Sequence, residues 1–160
     1  MIRHQALIEL SKDHQKGLML AQLLKADAPA YKGLPTDLRG KMNYAIETYN
    51  SDLKRHFDDE EKILFPFVKG RDSEFDKLID ELLDEHLFLS KNISQLNDSQ
   101  KLSDKLDSIG KKLEQHIRKE ERILFNKIQE LLTANELETL KNKIEISRQD
   151  FIKSCANKST

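Results

Sequence analysis

Four stretches of this chain carry apolar residues at spacings of three and four, and each of them also contains a histidine. The first runs Leu10, His14, Leu18, Ala21, and the second Met42, Ile46, Tyr49, Leu53, His56, Glu60, Ile63, Phe67. The third is Leu78, Leu82, His86, Leu89, Ile93, and the fourth Leu102, Leu106, Ile109, Leu113, His116, Glu120, Ile123, Lys127. Residues so spaced share one face of an α-helix, so each stretch is an amphipathic helix with a side to bury. Four stripes with short connections between the last three predict an all-α fold, an up-down-up-down antiparallel four-helix bundle over about residues 10–132.

The punctuation fits that reading. ADAPAYKGLPT at 26–36 has two prolines and a glycine and reads as a long loop. Pro66 would kink or stop the second helix, and the polar run NDSQ at 97–100 ends the third. Thr133 with Glu136 three residues on forms a capping box, which predicts an extra C-terminal helix over about 134–156. Its stripe of Leu137, Leu140, Ile144, Phe151, Ile152 and Cys155 needs cover, either from the bundle or from a second copy in a homodimer. The expectation for 1–160 is thus a single domain, long enough to bury a core without staples.

Composition narrows the function classes. Lys and Arg number 27 against 28 Asp and Glu, a net charge of −1, and no basic patch suited to a phosphate backbone stands out. The N-terminus MIRHQALIEL lacks a signal-peptide apolar region, and no 18-residue apolar run follows. The lone Cys155 cannot form an internal disulfide. Together these predict a cytoplasmic protein with neither a nucleic-acid nor a membrane partner.

The stretch HFDDEEKILF at 56–65 returns as HIRKEERILF at 116–125, and seven of the thirteen positions from Leu53 to Phe65 reappear between Leu113 and Phe125. Asp58 and Asp59 become Arg118 and Lys119, and positions that change sign read as solvated. The shared ILF blocks read as core packing. What remains is a histidine followed four residues later by a glutamate, twice.

Residues i and i+4 lie about 6 Å apart along the axis on nearly one face, so His56 with Glu60, and His116 with Glu120, each aim two ligands at one spot. Four histidines and two carboxylates facing a bundle interior would be very costly if left unpaired, and a metal removes that cost. Imidazole and carboxylate suit iron, zinc, copper or manganese, and no clustered cysteines offer thiolates. Six ligands are too many for one zinc ion and suit two ions sharing bridging carboxylates. The ligand order H, HxxxE, H, HxxxE divides the site between helices one and two and helices three and four, as an approximate two-fold would. Tyr44 and Tyr49 fall near the stripe, where a hydroxyl would donate to a ligand or simply pack in the core. His4, outside the pattern, is a surface or capping residue.

The motifs LSKDHQKGLMLA around His14, HFDDEEKILFP, LLDEHLFL around His86 and HIRKEERILF resemble the hemerythrin family, specifically bacterial hemerythrin-like HHE cation-binding domains. The resemblance implies a non-haem di-iron centre with an oxo or hydroxo bridge, His14, His56, His86 and His116 as terminal ligands, and Glu60 and Glu120 as bridges. Oxygen carriers of the family place their last carboxylate five residues after the histidine, which would select Glu121; the internal repeat favours Glu120. They also have a further histidine one turn after the third-helix ligand, where this chain has Ser90. That leaves about one open position per iron.

The leading expectation is a di-iron protein that binds or senses O2, NO or peroxide, read out by an unnamed redox or signalling partner. The alternatives are a di-iron oxidoreductase acting on NO or peroxide in stress defence, an iron donor for iron–sulfur cluster repair, and a structural bundle holding zinc or no metal. The repair proteins carry a cysteine-bearing N-terminal segment, which the residues before His14 do not resemble, so that role is the lesser expectation. Imidazole and carboxylate do not by themselves distinguish iron from zinc or manganese.

Overall fold

A computed structural model describes residues 1–159. Helix α1 is Gln5–Leu24, capped by the His4 side chain, which accepts from the Ala6 amide at 3.1 Å. It therefore begins one turn earlier than the apolar stripe suggests. Helix α2 runs continuously over 38–68, and α3 is Ser73–Ser94. Helix α4 spans 102–131 and α5 is Ala134–Lys158, whose Thr133–Glu136 capping box forms as expected. Among the described residues there is no strand, and no helix is long and apolar enough to cross a membrane.

The core is two apolar clusters. One gathers Leu7 and Leu10 of α1, Leu64, Phe65 and Val68 of α2, Phe75, Ile79 and Leu82 of α3, and Leu124, Phe125 and Ile128 of α4. The other holds Leu20 and Leu24, then Met42 and Leu53, then Leu89 and Ile93, then Leu102 to Ile117 of α4. Each helix thus crosses from one cluster to the other in the opposite sense to its predecessor, which is the up-down-up-down topology of an all-α bundle. Burying each Leu, Ile or Phe contributes about 1.5–3 kcal/mol. Helices α1 and α4 pack closely where Gly17 and Gly110 face the opposite helix, and at Gly110 the backbones themselves meet: a Cβ there would lie 2.7 Å from the Ala21 carbonyl oxygen.

Helix α5 packs only in part. Leu137, Leu140 and Ile144 close the first cluster, whereas Ile152 and Cys155, expected on the same covered stripe, are exposed. Phe151 is 36% exposed and carries the Arg55 guanidinium over its ring at 5.4 Å.

Helices α2 and α4 are not uniform. Tyr49–Leu53, Glu60–Leu64 and Glu120–Leu124 are π-helical turns, each holding one residue more than an α turn. The extra residue after Glu60 and after Glu120 corrects the expected stripe by one position. Ile63 and Phe67 are only half-buried, and Ile123 is 46% exposed. In their place Leu64, Phe65 and Val68, and Leu124, Phe125 and Ile128, enter the core. A fixed period of 3.6 cannot anticipate that slip.

Candidate metal centre

Between the two apolar clusters lies a polar layer. His14, His56, Glu60, His86, His116 and Glu120 are all buried there, with both glutamates fully inaccessible. Because Glu60 and Glu120 open their π turns and their amides still bond to the carbonyls of His56 and His116, both pairs keep ordinary i, i+4 geometry. One group of ligand atoms comes from His14, His56, Glu60 and Glu120, the other from Glu60, His86, His116 and Glu120, and within each group the atoms lie within 4.8 Å of one another.

Each glutamate divides its two oxygens between the groups. Oε1 of Glu60 is 3.1 Å from His56 Nε2, and its Oε2 is 3.1 Å from His86 Nε2. Glu120 sets Oε2 2.9 Å from His14 Nε2 and Oε1 3.3 Å from His116 Nε2. These are ion-pair distances without the alignment of hydrogen bonds, so all four buried carboxylate oxygens lack a directed donor.

Every imidazole is held from behind by a carboxylate on another helix. His14 Nδ1 donates to Glu121 at 2.6 Å, His56 to Asp13 at 3.1 Å, His86 to Glu61 at 2.8 Å and His116 to Glu85 at 2.8 Å. An ionised carboxylate only accepts, so the proton sits on Nδ1 and the Nε2 lone pair faces inward. Nε2 of His14 and His56 are then 3.0 Å apart, and those of His86 and His116 3.2 Å. Lone pairs that close repel unless a proton or a cation lies between them.

The electrostatics carry the same message. Burial disfavours charge on His56, yet Glu60 and Asp13 outweigh it and raise its pKa to about 10. His86 is pushed up to about 9 against the same burial penalty by Glu60 and Glu61. Glu60, despite burial, is driven well below the ordinary carboxylate range by His56 and His86. Burial would raise Glu121 and Glu85 too, but their imidazole partners and the Arg3 and Lys119 side chains hold both at about 2. A cavity that gathers extra protons on nitrogen around two anions lacks positive charge, and a metal cation supplies it. The nitrogen and oxygen donors fit such an ion.

Aromatic rings wall the layer. Phe57 stacks on His86 with centroids 4.0 Å apart, Phe65 covers the same ring at 5.8 Å, and Phe125 lies parallel to His14 at 5.4 Å. Phe65 and Phe125 are the last letters of the two ILF blocks, so the repeated packing residues also flank the imidazoles.

Glu121 stands outside both groups, bonded to His14 Nδ1 and paired with Arg3 at 2.6 Å. Tyr44 and Tyr49 pack beside the second apolar cluster, and neither hydroxyl bonds to the six clustered residues. Asp13, Glu61 and Glu85 were not anticipated as partners of the site, though each adjoins a clustered residue in sequence, as D-H, E-E and E-H. The sign change at 59 and 119 is also not solvation: Asp59 is 2% exposed.

The family model for the hemerythrin HHE cation binding domain matches residues 5–128. No curated protein and no solved structure matches the chain. Four imidazoles and two shared carboxylates buried between two apolar clusters, in a chain whose family model spans all four bundle helices, lead to one assignment: the chain belongs to the hemerythrin HHE cation-binding family.

Proposed function

We propose that this chain holds two iron ions, one at His14 and His56 and one at His86 and His116, bridged by Glu60 and Glu120, and that it binds or senses O2, NO or peroxide. The observation that carries this reading is the sharing of both glutamates between two four-residue groups, one oxygen to each. Iron there would supply a reversible change of oxidation state and a coordination place for a small ligand.

The protein's part is orientation and exclusion. Asp13, Glu61, Glu85 and Glu121 hold the Nδ1 protons and turn each Nε2 inward. Phe57, Phe65 and Phe125 exclude bulk water, which favours small neutral molecules over hydrated ions. Ser90, one turn after His86, is half-buried and offers no further imidazole, so fewer protein ligands compete for the coordination place.

The test is metal analysis of protein from iron-supplemented cells, with absorption spectra before and after dithionite and then NO. Two irons per chain, with bands that bleach on reduction and shift with NO, are expected. Zinc, or substoichiometric metal with a featureless spectrum, would sink the reading.

A further inference from the structure

The two halves of the polar layer are braced differently. On the α3–α4 side, Glu85 accepts from His116 Nδ1 at 2.8 Å and from Lys119 Nζ at 2.7 Å, so the cation sits on the same helix as the histidine, three residues on. The internal repeat offsets α4 from α2 by sixty residues, and the position matching Lys119 is Asp59, an acid. Helix α2 therefore cannot brace Asp13 with a lysine at that register.

Helix α2 offers Arg55 instead, with Nη2 at 3.2 Å from Asp13 Oδ1, and helix α5 adds a second and closer charge. Arg148 Nη2 lies 2.6 Å from Asp13 Oδ2 and its Nη1 3.4 Å from Asp13 Oδ1, while the same Nη2 lies 3.4 Å from Asp59 Oδ2. Ser147 Oγ donates to Asp59 Oδ1 at 2.7 Å. Glu9, 4.0 Å from Arg148 Nη1, is the further acid facing this group. The Arg148 side chain is only 14% exposed. Past Ile144, every described α5 residue is exposed except the half-buried Ser147 and Arg148, so this polar contact anchors the outer half of the helix where apolar packing has ended.

We propose that Arg148 is a positioning residue for the His14 and His56 half of the centre, and that docking of the outer half of α5 and cation binding at that half favour one another. The inference rests on the reading of His56 as a ligand. Arg148 fixes the Asp13 carboxylate, Asp13 fixes the His56 Nδ1 proton, and His56 Nε2 then faces the cation site. In return, a cation on Nε2 polarises the Nδ1 proton and strengthens its bond to Asp13, which holds Asp13 toward Arg148. Linkage makes the two effects equal.

The experiment is titration of full-length protein with ferrous iron under anaerobic conditions, together with hydrogen exchange of amides 145–158 with and without iron. In Arg148→Met, which keeps the aliphatic stem, affinity for one of two ions falls about tenfold while the other is unchanged. Arg148→Lys recovers part of the loss. Lys119→Met weakens the opposite ion and leaves α5 unaffected. In the wild type, iron slows exchange across 145–158, and in Arg148→Met that response disappears.

Two ions bound with wild-type affinity by folded Arg148→Met, or wild-type exchange at 145–158 that ignores bound iron, would overturn the proposal while leaving the metal centre standing. Wild-type protein that takes up no iron would overturn both. Should Arg148→Met not fold, the wild-type exchange comparison decides alone.

Discussion

Glu61 accepts from His86 Nδ1 at 2.8 Å although its own side chain is 40% exposed, which makes it the most solvent-open of the four carboxylates behind the imidazoles. Glu61→Ala leaves the Nδ1 proton of buried His86 without its acceptor, so the metal-free fold is expected to lose about 1–3 kcal/mol. The substitution also removes the orienting acceptor of His86, and affinity for the ion at His86 and His116 falls about tenfold or more. Metal titration alongside thermal melting checks both halves of this statement.

The metal-free protein is expected to have a definite pH optimum. His56 and His86 titrate at about 10 and 9 in the fold against 6.5 ordinarily, so the stability they contribute is complete below pH 6.5 and is lost as pH climbs through 9 to 10. Glu60, Glu85 and Glu121 titrate below their ordinary 4.5, the last two at about 2, so their contribution is present above 4.5 and lost as pH falls toward 2. Metal-free stability is expected to peak between pH 4.5 and 6.5. A cation displaces the extra protons, so loading moves the optimum upward, and calorimetry in buffers of different ionisation enthalpy should record proton release on binding.

The π turn after Glu60 predicts an unusual tolerance. Deleting exposed Lys62 turns the π turn into an α turn and leaves both flanking segments in phase with the core. The variant is expected to keep its helical circular dichroism and to lose no more than about 2 kcal/mol. Its cation affinity should drop, because Glu61 moves away from His86. Deleting equally exposed Glu81, which lies in unbroken α-helix, instead rotates His86, Leu89 and Ile93 by about 100° and should abolish folding. A Lys62 deletion that unfolds would show that the extra residue is needed for packing.

Two glycines at the α1–α4 contact should respond differently to alanine. At Gly110 the new Cβ meets the Ala21 carbonyl oxygen at 2.7 Å and Leu24 Cβ at 3.1 Å, so the helices must part, at a cost of about 1–3 kcal/mol. At Gly17 the close atom is Ile117 Cδ1 at 2.7 Å, the free end of a side chain that can turn aside. Alanine's better helix propensity, worth about 1 kcal/mol, then offsets the adjustment and Gly17→Ala stays near neutral. Denaturant unfolding of the pair distinguishes them.

The bundle was legible because burial is written in a period of 3.6, and the polar layer because histidine and glutamate break that pattern at matching depths. The partners behind the imidazoles were not. Asp13, Glu61 and Glu85 are chain neighbours of the clustered residues, so they stand about 100° around the helix from the stripe and read as surface. Only the approach of a second helix brings a histidine Nδ1 within reach of such a position. Asp59 was lost for the same reason: its partners, Ser147 and Arg148, are 88 and 89 positions away on a helix whose buried apolar face ends at Ile144. Ile63 and Ile123 were misplaced because a π turn leaves no mark in a pattern of residue types.

The brace on Asp13 also bears on the order in which the molecule is completed during synthesis. Once α4 has left the ribosome, the His86 and His116 half has its histidines, both shared glutamates, Glu61, Glu85 and Lys119. The His14 and His56 half, although its first histidine is made earliest, has only Arg55 on Asp13 until Arg148 of α5 follows. A nascent or clipped product that stops short of α5 is therefore a half-finished receptacle, fully held on one side and with Asp13 held by Arg55 alone on the other.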